Sequence, residues 1–156
     1  MKHKLICLTP VRNEAWILDT FLKSASLWAD HILIVDQNSN DGSRDIISKY
    51  PKADVIEYNS NTHSQIERRD LLLETARKMY GPMGNIMLAI DADEILSPEA
   101  LSEKTWEKIF ECEPGTILRF QWASLLPNTG KFWTGYHLPY GLIDDSSKFI
   151  KKKAHH

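Results

Sequence analysis

With 156 residues, 42% of them hydrophobic, the chain is long enough to bury one core, and a single domain is expected. A formal net charge of −2 argues against a nucleic-acid surface, and no apolar run approaches the ~18 residues that a membrane span needs. Met1-Lys2-His3-Lys4 leads into a short strand-like run without a signal-peptide pattern, and Cys7 and Cys112 stand far apart without metal-ligand spacing, so a cytoplasmic protein with free thiols is expected. Lys148, Lys151, Lys152 and Lys153 gather positive charge at the C-terminus. A solvated tail is the preferred reading of these lysines, with peripheral contact to anionic lipid as the other.

In chain order, Lys4 to Thr9 is an apolar run closed by Pro10 and predicts a first buried strand with a forced turn. From Ala15 the spacing of Leu18, Phe21 or Leu22, Ala25 and Trp28 predicts a helix, with Asn13 as its N-cap. His31 to Val35 predicts a second strand. It runs into the turn-rich loop Asp36 to Ser43, where Gly42 supplies positive φ and Ser43 caps a short helix carrying Ile46, Ile47 and Tyr50. Pro51 stops that helix, Ala53 to Tyr58 predicts a third strand, and the polar segment Asn59 to Ser64 follows. A longer helix is expected from Gln65 to Tyr80, ended by Gly81-Pro82, with Arg68, Arg69, Arg77 and Lys78 on its basic side. The fourth strand, Ile86 to Ile90, precedes a helix expected over Ser97 to Phe110 with Pro98 at its first position. Thr116 to Trp122 and Lys131 to Tyr136 then read as a hairpin turning at Pro127-Asn128-Thr129-Gly130. Strands alternating with helices imply parallel pairing with right-handed crossovers, and the hairpin adds antiparallel strands; the fold class is α/β with a mixed sheet.

The fourth strand ends abruptly in Asp91-Ala92-Asp93-Glu94. Side chains two apart on an extended chain point the same way, so Asp91 and Asp93 should converge while Ala92 faces inward. Converging carboxylates repel, and a hard cation, Mg²⁺ or Mn²⁺, would relieve that repulsion and bridge to substrate phosphates. On this stretch alone an ordinary solvated turn is an equal reading. What favours a site is that all four expected parallel strands end in polar sequence at one edge: Thr9 to Glu14, Asp36 to Gly42, Asn59 to Ser64, and Asp91 to Glu94. Open parallel sheets bind ligands at that edge, where the strand order reverses. No glycine follows the first strand, so neither a G-x-G-x-x-G loop nor a Walker A loop is present. Phosphate would have to be held by a cation on Asp91 and Asp93 with Arg69 or Arg12 nearby.

Thr-Pro-Val-Arg-Asn-Glu at 9–14, Val-Asp-Gln-Asn-Ser-Asn-Asp-Gly-Ser at 35–43, Glu-Arg-Arg-Asp at 67–70 and Ile-Asp-Ala-Asp-Glu at 90–94 together resemble the N-terminal, nucleotide-binding half of a family 2 glycosyltransferase. The resemblance implies a GT-A, Rossmann-type fold and sugar transfer with inversion from a nucleotide diphosphate sugar, UDP being favoured, to a hydroxyl acceptor such as a glycan or lipid-linked sugar. It implies that Thr9, Pro10 and Glu14 line the nucleoside pocket and that Asp36 accepts a hydrogen bond from the base. Arg69 matches the family's arginine after the third strand, Asp91 would lie near the ribose or metal, and Asp93 would be the principal ligand of a D-x-D motif holding Mn²⁺ or Mg²⁺. Gln37 departs from the pattern, where an acidic or small residue is usual, and this bears on base preference. Family members are normally longer, so part of the acceptor-binding region is expected to be missing, and with it the usual catalytic base.

Asp144 and Asp145 are the only late acids, and a solvated turn after Gly141 is the preferred reading of both. His137 is expected to be packed or surface-lying rather than a metal ligand. Trp122, Trp133 and Tyr136 could form a sugar-stacking platform, but core packing is the default for each. Two functions follow from the sequence, a metal-dependent transferase or a nucleotide-sugar-binding domain without transfer activity of its own; a third, a sugar nucleotidyltransferase, is disfavoured because Pro10-Val11-Arg12-Asn13 stands where that chemistry needs a glycine-rich loop and a basic residue.

Overall fold

The structure, a computed structural model, describes residues 3–59 and 64–147. Among them the elements run β1 (Leu5–Val11), α1 (Ala15–Ser26), β2 (His31–Asp36), α2 (Ser43–Ile47), β3 (Ala53–Glu57), α3 (Gln65–Tyr80), β4 (Ile86–Ala89), α4 (Glu103–Phe110), β5 (Ile117–Leu126) and β6 (Lys131–Ile143). They form one mixed sheet in the order β3-β2-β1-β4-β6-β5. The first four strands are parallel, and β6 joins β4 antiparallel and carries β5 as its hairpin partner. No helix among the described residues is long and apolar enough to cross a membrane.

Alternation along the strands sorts the core into two layers. Cys7, Val11, Ile32, Ile34, Ile86 and Leu88 face α1, α2 and α4, whereas Ile6, Leu8, Leu33, Val35 and Met87 face α3. With both faces covered, these strands read as unbroken apolar runs, which is why they were visible without any polar alternation. Helix α3 begins where Ser64 accepts a hydrogen bond from the Glu67 amide, and it ends at Gly81 with φ of 109°.

Several boundaries differ from the sequence expectations. Strand β1 does not stop at Thr9 but runs through Pro10 to Val11, paired to Val35 and Asp36 of β2. Proline is tolerated because Leu8 faces β4 and accepts from the Ile90 amide, so the missing Pro10 donor two residues on also faces that side, past the end of β4. Asn13 is not the cap of α1: it sits at φ 56°, and its side-chain oxygen accepts from the Asn40 amide at 2.9 Å. The helix is instead anchored by the next loop, with the Ala15 amide donating to Asp41 and the Glu14 amide to Ser43. Ser43 is the first residue of α2 rather than its cap, which is Gly42.

Ser97 and Pro98 start only a turn, in which Leu101 N donates to Ser97 O. A second cap, Ser102 accepting from Thr105 N, opens α4 six residues later than expected from Ser97.

The hairpin is longer than expected because β6 continues through Pro139 and Gly141 to Ile143. Gly141 is where β6 lies flush on β4: a Cβ there would overlap Leu88 Cδ2 and lie 2.9 Å from Met87 O. Only Gly141 to Ile143 pair with β4, so the rest of the hairpin projects past the sheet. Core packing therefore fails for Trp133 and Tyr136, which are 51% and 89% exposed on that arm; Trp122 is half-buried edge-on to Trp133 at 5.3 Å.

The solvated-turn reading also fails for Asp144, which is fully buried. Its carboxylate accepts from Arg77 Nε at 3.0 Å and Nη2 at 2.6 Å, tying α3 to the end of β6. Asp145 is exposed and accepts from the Ser147 amide, as a surface turn would have it.

Two predictions follow from these charges. Removing one partner of a buried ion pair leaves the other charge stranded, so Asp144→Ala should lower unfolding free energy by about 3 kcal/mol, the low end of the range because Arg77 keeps an exposed edge. Denaturant titration checks this, with Asp145→Ala as the near-neutral comparison. The Asp41 carboxyl is held below the ordinary value of 3.8, chiefly by the Ser43 hydroxyl and then by the Ala15 amide. A depressed folded-state value means that its contribution is present above the ordinary value and is lost as pH falls through the depressed one. The protection factors of amides at the start of α1, with intrinsic exchange rates divided out, should therefore be high at neutral pH and fall below that window, whereas Asp41→Ala should show lower protection at neutral pH and no such transition.

Candidate functional site

The strand order reverses at β1: β2 and β3 lie on one side, β4 on the other. Strand β4 ends opposite Leu8, at Ala89, while β1 continues to Val11, and this mismatch opens a cleft at the carboxyl edge of the sheet. Pro10, Arg12 and Glu14 enter it from β1 and the loop behind it. Gln65, Arg68 and Arg69 come from the start of α3, and Asp91, Ala92 and Asp93 complete it from the segment after β4. Three guanidinium groups thus stand in one cleft with the carboxylates of Glu14, Asp91 and Asp93.

The acidic segment is a turn, not a continuation of the strand: the Glu94 amide donates to Asp91 O at 2.9 Å. Asp91 and Asp93 are nevertheless exposed on the cleft while Ala92 is buried. Glu94 turns back into the protein, where Oε2 accepts from the Asp91 amide at 3.2 Å and Oε1 from the Tyr140 hydroxyl at 2.7 Å. Burial raises the Tyr140 phenol well above the usual tyrosine range, and the bond to Glu94 raises it further.

Thr9 and Asp36 lie behind the cleft rather than on its wall. Thr9 is fully buried in β1, and its hydroxyl has no partner among the described residues. Asp36 is also fully buried, with Arg44 Nε donating to it at 2.5 Å and the Ser39 amide at 3.3 Å. The Asp36 carboxylate raises the Arg44 pKa in turn. The structure therefore brings Pro10, Arg12, Glu14, Arg69, Asp91 and Asp93 together and leaves Asp36 engaged by its own loop. His137 is exposed on the projecting hairpin, and Asp144 lies at the opposite edge of the sheet, where its amide donates to Asn85 O just before β4.

Three contributors were not singled out from the sequence. Gln65 and Arg68 share the cleft-facing start of α3 with Arg69, and the i, i+3 and i, i+4 spacing from Gln65 is the local signal for them. Arg68 Nη1 donates to the buried Gln37 at 3.2 Å, and its buried Nε has no partner among the described residues. Tyr140 had no sequence signal, because its partner Glu94 is 46 residues away. Among the described residues no three His, Cys, Asp or Glu side chains cluster closely enough to hold a metal by themselves.

Comparison with known proteins agrees with this architecture. No curated protein matches the chain in sequence. Among solved structures, a 4-diphosphocytidyl-2C-methyl-D-erythritol synthase is similar in fold, with a TM-score of 0.64 at 16% identity over 92% of this chain and 75% of that one. The 4-diphosphocytidyl-2C-methyl-D-erythritol synthase from Anaerococcus prevotii DSM 20548 matches at a TM-score of 0.49 and 14% identity over 91% of this chain and 70% of that one. At such identities the likeness is one of fold alone. In sequence, the profile of glycosyl transferase family 2 matches residues 7–148, nearly the whole chain, so the chain belongs to glycosyl transferase family 2, a family of nucleotide-sugar-using enzymes.

Proposed function

We propose that the chain transfers a sugar from a nucleotide diphosphate sugar to a hydroxyl acceptor with inversion, using a divalent cation held by Asp91 and Asp93. The observation that carries this reading is the cleft at the strand reversal, where these two exposed carboxylates face Arg12, Arg68 and Arg69. Two carboxylates without a third protein ligand suit Mg²⁺ or Mn²⁺, which keep open positions for water and phosphate oxygens. When bound there, the cation supplies positive charge against the negative charge that grows on the departing diphosphate.

The chain's own residues do the rest. Arg69, exposed at the start of α3, extends toward the diphosphate, where a fixed guanidinium stabilises developing charge without reorganising, and Arg68 lines the cleft beside it while its Nη1 holds Gln37. Pro10 and Glu14 form the wall nearest the nucleoside. Asp36 reaches the base only by exchanging its Arg44 partner, and the Arg44 side chain, 44% exposed, has room to swing away. The acceptor oxygen forms its bond to the anomeric carbon as the bond to the diphosphate oxygen breaks on the opposite face, and the hydroxyl proton passes to a base.

A second reading, a donor-binding domain that transfers nothing by itself, is favoured by one observation: Asp144 is locked to Arg77 at the far edge of the sheet, so it supplies no base at the cleft. Nucleotidyl transfer is the weaker alternative, because the segment after β1 offers Pro10-Val11-Arg12-Asn13 where a glycine-rich anion cradle would be needed.

The test pairs binding with product analysis. Wild-type chain should bind one nucleoside diphosphate only with Mn²⁺, and Asp93→Ala should weaken that binding by more than the ~10–100-fold typical of losing a supporting outer contact. Undiminished Mn²⁺-dependent affinity in Asp93→Ala would sink the metal assignment. Sugar transfer with release of nucleoside diphosphate supports the transferase reading, binding without turnover supports the second reading, and pyrophosphate release from a nucleoside triphosphate and a sugar phosphate supports the third.

A further inference from the structure

We propose that Tyr140 is a positioning residue for the acidic turn, its hydroxyl fixing Glu94 and Glu94 in turn fixing the backbone from which Asp91 and Asp93 reach the cleft. The inference rests on the reading of the cleft as the donor site. Its geometry comes from an irregularity in β6. The register steps from Leu118↔Gly141 to Arg119↔Pro139, so β6 spends an extra residue there, and Tyr140 is that residue. Bulges re-aim side chains, and this one sits immediately beside Gly141, where β6 is pressed against β4. The Tyr140 ring is thereby held at the root of the hairpin, level with the end of β4.

From there a closed set of bonds runs through the turn. Tyr140 donates to Glu94 Oε1 at 2.7 Å, the Asp91 amide donates to Glu94 Oε2 at 3.2 Å, and the Glu94 amide donates to Asp91 O at 2.9 Å. Both Glu94 oxygens accept from within the protein, so this acid braces the turn. Asp91 and Asp93, by contrast, are exposed, and like charges side by side push the turn open. A tether from a different strand opposes that. It also makes the hairpin, the part of the chain that projects beyond the cleft, mechanically continuous with the carboxylates.

The test uses Tyr140→Phe, which removes one oxygen and keeps the ring, together with Glu94→Ala and the double variant. Hydrogen–deuterium exchange of residues 91–94 in protein free of metal and nucleotide is the first readout. A hydrogen bond to a charged group predicts that Tyr140→Phe quickens exchange there about tenfold while Ile86 to Ala89 stay unchanged. The double variant should exchange no faster than Glu94→Ala, because the tyrosine acts only through the glutamate. The second readout is nucleoside diphosphate affinity: Tyr140→Phe should weaken the Mn²⁺-dependent binding about tenfold. Unchanged exchange, additive effects in the double variant, or altered exchange with intact Mn²⁺-dependent affinity would each overturn the proposal. If wild-type protein binds no nucleotide with Mn²⁺, the donor-site reading fails, and with it the positioning of a donor site; the exchange result then decides separately whether the tether exists.

Discussion

Parallel pairing of β1 with β2 on one flank and β4 on the other is the constraint from which the site follows. Crossovers of one hand send α1 and α3 to opposite faces of the sheet, so at the carboxyl edge of β1 no helix lies over the gap between them. Because β4 stops opposite Leu8 while β1 runs on to Val11, the gap becomes a notch rather than a seam. Pro10 fits this notch for the same reason that it would not fit a fully paired strand: its absent donor has nothing to meet. The polar loops after β1 and β4 are then brought face to face by backbone pairing alone, before any side chain is considered.

Charges in the molecule divide into those committed to the fold and those held out toward the cleft. Asp36 with Arg44, Asp144 with Arg77, and Glu94 with Tyr140 are paired across elements, and each pairing fixes a loop or strand end next to the sheet. Burying Asp36 and Asp144 is tolerable only because both carboxylate oxygens of each accept from donors. Asp91, Asp93 and Arg69 are exposed on the cleft instead, and in the function proposed above they are held out for a ligand carrying both a cation and a diphosphate. The same division accounts for the two loops behind the site: Asn13 binds Asn40, and Asp41 binds Ala15 and Ser43, so the loops after β1 and β2 brace each other.

Much of this was legible in the sequence, for physical reasons that also mark the limit. Strands buried on both faces read as short apolar runs, and β2 and β4 appear within a residue of where those runs fall. Helix α3 carries its own stop signal in Gly81 and its expected bounds. The acidic turn was recognisable because its acids are adjacent in the chain, and Arg69 because the motif around it resembles the family's. What escaped was decided by partners far along the chain. Asp144 and Arg77 are 67 residues apart, and Tyr140 and Glu94 are 46 apart, so nothing local announces that either acid is engaged. The length of β6 was hidden by Pro139 and Gly141, both of which ordinarily end strands; here the first lies past the end of β4 and the second is needed for close packing on it. The late start of α4 reflects two serine caps in competition, of which Ser102 won.

The central claim is that the cleft between the ends of β1 and β4 receives the diphosphate of the donor together with its cation. Paramagnetic broadening of amide resonances by Mn²⁺ in the presence of UDP locates that cation directly. The account predicts broadening centred on residues 91–94 and reaching residues 12–14 and 65–69, stronger with UDP than with Mn²⁺ alone, while Gly84, Gly115 and Asp144 at the opposite edge remain sharp. Broadening centred on that opposite edge, or spread evenly over the acidic surface, would contradict it.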